Sequence, residues 1–214
     1  IVKNYAEVVL RLHIQGTVEE KMPLLISMVQ AGIDYYGLLM NGRRWNADGG
    51  HESGAKLPIL FAGRMLNNAS MLNIGVSHLM SFQEDQQFFF ADKNVPFEGP
   101  DPSTPCYLPM SKTYYGGYPR YGIRHAQFNL PYTTKNGEPV QCGGGTTSSY
   151  WGTNSGSQRG AAIAAEISGL RSYWNHDAFF AYFERVNEEG GPFEVWASTF
   201  NNNMYKSYHY QFKN

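Results

Sequence analysis

Acidic residues vanish between Asp101 and Glu138, and charge is sparse throughout. Asp, Glu, Lys and Arg make up 16% of the 214 residues, with a formal net charge of −1. That balance excludes a general nucleic-acid binder, which carries a basic excess. Aromatics at 15% exclude a disordered chain, which has fewer aromatics and more charge. No apolar run approaches the ~20 residues of a membrane span. Cysteine is limited to Cys106 and Cys142. They would form one disulfide between two long loops in an oxidising compartment, or stay free thiols in the cytosol. No ligand spacing supports a metal site, and no cofactor is expected. The sequence has no signal peptide, initiating Met or short internal repeat. It opens on a helix-like stretch, I-V-K-N-Y-A-E-V-V-L-R-L, as a processed chain or a fragment of something longer would. Low charge with abundant Tyr, Phe, Gly and Asn suits a secreted or periplasmic protein.

A chain of this length can form one domain, residues 1–214, with a substantial core. Ile1 to Ile14 is helix-like, with Val8, Val9 and Leu12 sharing a face. Thr17 followed by Glu20 is a capping box, so a second helix starts at Val18 and carries Pro23 near its first turn. Its apolar positions recur at helical spacing to Met40, where Asn41-Gly42 closes it. A third helix spans Ala55 to about Leu66, and a shorter one follows Asn68 or Ser70. Ser81 to Ala91 reads as a strand or a buried extended segment around Phe88–Phe90. Lys93–Pro109, dense in proline, and Gly143–Gly160, rich in Gly, Ser and Thr, read as long loops. Gln158–Leu170 is rich in Ala and Gly and suits close helix packing. Asn175 reads as the N-cap of a helix from His176 to about Asn187, and Trp196, Phe200, Met204 and Tyr208 mark a terminal helix. The fold class is mainly α: helical hairpins joined by long functional loops, with a small β element.

The most informative stretch is Trp45–Gly63, W-N-A-D-G-G-H-E-S-G-A-K-L-P-I-L-F-A-G. A glycine-rich loop presents Asp48, His51 and Glu52, then enters a helix that Ser53 can cap and whose first turn tolerates Pro58. The second stretch is the acid-free one. It carries Lys112, Arg120, Arg124, His125 and Lys135, interleaved with Tyr107, Tyr114, Tyr115, Tyr118, Tyr121 and Tyr132. Arginine offers a planar fork that matches a carboxylate, and tyrosine offers a stacking face with a hydroxyl. Arg43, Arg44, Lys56 and Arg64 add positive charge near the first stretch. Two basic, aromatic loops on one helical scaffold suit an acidic ligand with flat apolar faces, such as a uronic-acid polysaccharide. His78 and His176 read as structural and His209 as a surface residue.

Three segments, G-G-H-E-S-G-A-K-L-P-I-L-F-A-G, Y-G-I-R-H-A and Y-W-N-H-D-A-F-F-A-Y-F-E-R-V, resemble the C-terminal part of bacterial polysaccharide lyases with an α/α toroid (helical barrel) fold. The nearest group is the alginate and glucuronan lyases. The similarity covers about the central two-thirds of the chain. It departs from the pattern in length: a complete toroid needs roughly twice the helices. The rest would come from a missing N-terminal half or from a second chain completing the toroid.

Such a resemblance implies polysaccharide degradation by β-elimination. A uronate carboxylate is neutralised, a base takes the C5 proton, and an acid protonates the departing O4. It makes His51 the first candidate for base or carboxylate neutraliser, and Arg124 and His125 the next choices for neutralising the carboxylate. Tyr121 is the candidate acid/base, with Tyr115 and Tyr118 as alternatives. Glu52 would orient His51. Arg44, Lys56 and Arg120 would bind neighbouring uronates, and Trp45 or Trp151 would stack on a sugar ring. Two other readings stay open. One is a glycoside hydrolase on a helical toroid, with Glu52, Glu84 and Asp85 as the available carboxylates. The other is a non-catalytic carbohydrate-binding subunit.

Overall fold

The computed structural model describes residues 2–45, 52–91, 97–98, 105–106, 118–121, 130–133, 139–142, 156–188 and 198–212. These residues are mostly helical. Helix α1 (Val2–His13) places Val9 and Leu10 in the core, with Val8 and Leu12 half-buried against it. Helix α2 (Val18–Met40) begins at the expected capping box: the Glu20 amide donates to Thr17 Oγ1, and the Thr17 amide donates to Glu20 Oε2 at 2.8 Å. It ends where Gly42, at φ +89°, turns the chain so that the Gly42 and Arg43 amides reach back to Leu39 and Leu38. That arrangement satisfies carbonyls the last turn would otherwise leave bare.

Helix α3 (Lys56–Met65) packs on α2. Ala55 is its N-cap and no side chain caps it, so Ser53, buried beside it, does not take the expected capping role. Two single-turn helices follow, α4 (Ala69–Leu72), capped by the Asn68 side chain, and α5 (Ile74–Ser77). A short helix α6 (Gln83–Gln87) runs into strand β1 (Phe88–Ala91). Short strands β2 (Phe97–Glu98) and β3 (Pro105–Cys106) pair antiparallel, as do β1 with β4 (Tyr118–Tyr121), and β5 (Leu130–Thr133) with β6 (Pro139–Cys142).

Helix α7 (Gly156–Ile167) begins inside what the sequence marks as a loop. Its Ala161, Ala162, Ile163, Ala164 and Ala165 are all buried, and α1 and the C-terminal helix pack against it. Small side chains let that approach be close: a Cβ on Gly160 would lie 2.5 Å from Asn201 Nδ2. Asn175 is not the N-cap the sequence suggests. It takes the left-handed conformation, φ 52° and ψ 43°, and terminates helix α8 (Arg171–Trp174), a role asparagine fills because its short side chain tolerates that backbone. Helix α9 (Asp177–Glu188) follows, with Phe179, Phe180, Tyr182 and Phe183 buried. Helix α10 (Thr199–Tyr208) carries a Ser198 cap and leads into a 3₁₀ turn at His209–Phe212. His209 is buried rather than on the surface. Its ring lies between the Tyr205 carbonyl, 2.7 Å from Nδ1, and the Asn187 amide, 3.1 Å from Nε2. Trp196, expected on the terminal helix, lies outside the described residues.

The α2–α3 crossing depends on one residue without a side chain. A Cβ on Gly32 would sit 2.2 Å from the Pro58 carbonyl oxygen and 2.5 Å from Ala62 Cβ, while one on Gly37 would meet nothing within 4 Å. Neither obstacle at Gly32 is the end of a flexible side chain. Gly32→Ala therefore lowers unfolding stability by about 1–3 kcal/mol. Gly37→Ala, on the same helix, leaves stability unchanged or raises it by about 0.4–1 kcal/mol. Urea titrations of the two variants check the contrast.

Candidate functional site

Both ends of the glycine-rich loop are held by one short segment, Ser81 to Asp85. On the incoming side, the Trp45 amide donates to the Ser81 carbonyl at 2.9 Å, and the Arg44 guanidinium donates to Ser81 Oγ. On the outgoing side, alternate residues meet consecutive ones. The Glu52 amide donates to Gln83 Oε1 at 2.8 Å, the Gly54 amide to Glu84 Oε1 at 2.7 Å, and Lys56 Nζ to Asp85 Oδ1 at 2.5 Å. Residue 54 has to be glycine: its φ is +111°, and a Cβ there would lie 2.8 Å from Val2 Cα. Positive φ and contact with a neighbouring backbone together exclude any side chain. Residues 46–51, with Asp48 and His51, lie outside the described residues, but the residues flanking them are fixed.

Lys56 is the most constrained charge in the molecule's described part. It is fully buried, its ammonium paired to an equally buried Asp85 and lying 5.6 Å from the Phe82 ring centre and 5.3 Å from that of Trp174. Burial pulls its pKa below the ordinary lysine value, even though Asp85 and Glu84 pull the other way. Next to it, burial pushes the Glu84 carboxyl up to about 7 against the hydrogen bond from Gly54. Gln83 Nε2, Glu84 Oε2 and Asp85 Oδ2 are buried with no hydrogen-bond partner among the described residues.

This geometry corrects two sequence expectations. Lys56 has no surface to offer a uronate and serves as an internal anchor. Trp45 is 6% exposed, stacked on Phe82 with ring centres 5.4 Å apart and 5° between planes, and met edge-on by Tyr35. It packs the core instead of stacking on a sugar. Arg44 remains exposed beside the loop. Glu52, half-buried, holds Arg43 at 2.6 Å, a solvent-accessible pair worth no more than about 1 kcal/mol. Glu84 and Asp85, two of the three carboxylates available to a hydrolase, are shut away from solvent.

The second expected segment reaches the same region through the backbone. Strand β4 pairs with β1 so that Tyr121 stands opposite Phe88, Arg120 opposite Phe89, and Tyr118 opposite Ala91. Phe88 follows Asp85 by three residues and is buried among Phe179, Tyr182 and Phe183. Its carbonyl lies 2.7 Å from His176 Nε2, so the proton sits on that nitrogen. His176 thus has the structural place expected of it. His51, Tyr115, Arg124, His125 and Trp151 lie outside the described residues. Among the described residues no three His, Cys, Asp or Glu side chains gather as metal ligands, and no helix is long and apolar enough to cross a membrane.

No family model matches the sequence, and no curated protein or solved structure gives a significant match to it.

Sequence reasoning missed Ser81, Gln83, Glu84 and Asp85 as the supports of the loop. The signal was there in part: S-F-Q-E-D-Q-Q-F-F-F sets a polar run between aromatics, with no glycine or proline to suggest a solvated turn.

Two outcomes follow from the buried charges. Glu84 binds its proton more tightly folded than unfolded, so stability is highest below the ordinary carboxyl value of 4.5 and falls as pH rises toward about 7. Glu166, also pushed up to about 7 by burial, adds to the same slope. Glu84→Gln keeps the acceptor for Gly54 and removes on the order of 2–3 kcal/mol of that decline, as read from unfolding free energies across this pH range. Lys56→Met strands Asp85 and costs about 3–5 kcal/mol, whereas Lys56→Met with Asp85→Leu recovers most of the loss. A double-mutant cycle in urea measures both.

Proposed function

We propose that this chain acts in a polysaccharide lyase, secreted or periplasmic and built on an α/α toroid, that cleaves a uronic-acid polysaccharide such as alginate or glucuronan by β-elimination. One observation supports the reading above the others. The segment from Ser81 to Phe88 holds both ends of the His51 loop and is continuous with the strand that pairs with Tyr118–Tyr121. Two stretches singled out by their chemistry are therefore attached to one support, although Glu52 and Tyr121 are far apart in sequence.

In this reading Arg124 and His125 neutralise the uronate carboxylate, which lowers the cost of removing the C5 proton. Preorganised donors aimed at the charge that develops on the carboxylate supply the largest share of such a rate enhancement. His51 or Tyr121 takes the proton, the C–H electron pair becomes the new C4=C5 double bond, and the C4–O4 bond breaks. Tyr121 returns a proton to O4. Arg44, exposed beside the loop, binds a neighbouring uronate, whereas Lys56 and Trp45 act only by holding the loop in place. The burial of Glu84 and Asp85 weighs against a hydrolase, which needs two carboxyl groups facing the glycosidic bond.

Incubating the assembled protein with alginate, glucuronan and glycosaminoglycans, while following the ultraviolet absorbance of an unsaturated uronide, tests the reading. The expected result is a rising signal on one uronide. Tyr121→Phe and His51→Ala should each reduce it about 10²–10⁴-fold, and Arg44→Ala should raise KM more than it lowers kcat. Absence of signal on every uronide, from the complete and folded assembly, rejects the reading. Saturated reducing sugar released without a new double bond points to the hydrolase instead.

A further inference from the structure

Helix α2, V-E-E-K-M-P-L-L-I-S-M-V-Q-A-G-I-D-Y-Y-G-L-L-M, is apolar on nearly every side, yet along it only Met28, Gly32 and Leu39 are buried. A helix apolar all round belongs in an interior. Here several of the remaining apolar positions face solvent: Val18 is 66% exposed, Ile26 60%, Leu38 50%, Met40 47%, Ile33 41% and Met22 40%, while Leu25, Val29, Tyr35 and Tyr36 are half-buried against the chain's own core. They are not scattered. Met22, Ile26, Val29, Ile33, Tyr36 and Met40 advance by four and three in turn, the seam of a heptad repeat, with Ile26, Ile33 and Met40 on one repeating position. Such a seam selects a helix as its partner, because each knob needs a hole formed by four residues of a facing helix. Neither a strand, a sugar nor a bilayer supplies that surface.

We infer that two copies of this chain pair through α2, antiparallel and about a two-fold axis. The charges decide between orientations. Glu19 continues the seam at its N-terminal end, and Arg43 continues it in sequence just past the Asn41–Gly42 cap. A parallel pair would set Glu19 against its own copy, and like charges there repel. The antiparallel register that sets Met22 against the partner's Met40, Ile26 against the partner's Tyr36 and Val29 against the partner's Ile33 also brings Glu19 toward the end of the partner's helix, where Arg43 follows the Gly42 turn, exposed and paired with Glu52. One sequence supplies both halves of every layer, which is the requirement for an isologous interface. An apolar groove of about 240 Å³, lined by Leu12, Val18, Met22, Leu25, Phe61 and Met65, opens beside the end of the seam where the partner's Met40 arrives. Gln30 and Asp34 hydrogen-bond one another at 2.8 Å, off the seam positions.

Sedimentation velocity on the full chain, over concentrations from nanomolar to hundreds of micromolar, tests the pairing. The expected species is a reversible dimer. Ile26→Glu with Ile33→Glu should raise its dissociation constant by roughly a hundredfold or more, with circular dichroism unchanged and with melting temperature unchanged at concentrations where the wild type is monomeric, because both side chains are on the surface of one copy. Glu19→Arg should weaken the dimer roughly tenfold, and adding Arg43→Glu to it should restore pairing, which a merely sticky surface would not do. A wild-type chain that stays monomeric throughout overturns the inference. So does a dimer that survives the double glutamate variant, or one that the charge reversal leaves unrestored.

Discussion

Three attachments, from residues 52, 54 and 56 to residues 83, 84 and 85, govern how the rest of this molecule is arranged. They are of different kinds: two backbone amides reach side-chain oxygens, and one buried ammonium reaches a buried carboxylate. The amide contacts could each be made in a slipped register at modest cost. The lysine cannot slip, because a displaced Lys56 would leave Asp85 charged and alone in the interior, at a cost of several kcal/mol. The ion pair thus contributes less to net stability than to uniqueness of position. It fixes where helix α3 starts, and through α3 it sets the approach of α2 at Gly32.

The same attachment orders the polar groups by depth. Lys56, Glu84 and Asp85 lie innermost, shielded by Phe82 and Trp174. Trp45 and Phe82 form a stacked lid at the edge, and Arg43, Arg44 and Glu52 lie outside it, in contact with water. Charges within the anchor act on stability and respond to pH. Those outside act on whatever approaches the loop. Residues close in sequence therefore have unrelated roles, as Arg44 and Trp45 do.

That layering explains what the sequence discloses and what it conceals. Features encoded within a few residues are legible: the Thr17–Glu20 box, the Gly42 turn and the Asn68 cap follow from local hydrogen-bonding chemistry, and α1 and α3 from their apolar spacing, though α3 starts without the side-chain cap expected of Ser53. Lys56 misleads, because a lysine flanked by Arg43, Arg44 and Arg64 reads as part of a cationic surface. Its burial depends on an aspartate 29 residues later, and no local pattern carries that information. Asn175 misleads differently. Asparagine suits both a helix start and a left-handed helix end, and the choice is made by tertiary contact, its side-chain amide donating to the Gly75 carbonyl at 3.2 Å. For the candidate site, the glycine loop and the Tyr118–Tyr121 stretch stand out by composition. The support that joins them is not, since Q-E-D-Q acquires its meaning only when folded against residues 52–56.

The contrast between α7 and α2 shows how differently two apolar helices can be used. Alanine and glycine bring α7 so close to its neighbours that it is covered along its length, and it has no capacity left for association. Helix α2 is built from larger residues in a heptad phase and is covered on one side only. It also runs directly into Arg43, Arg44 and the loop. Any partner that settles on the seam must meet Arg43, whose guanidinium already holds Glu52 at the outgoing end of that loop. A carboxylate arriving from the partner's Glu19 would share this guanidinium, which has donors enough for both. The loop and the seam are then linked through one arginine, while the buried anchor keeps the backbone of residues 52–56 where it is.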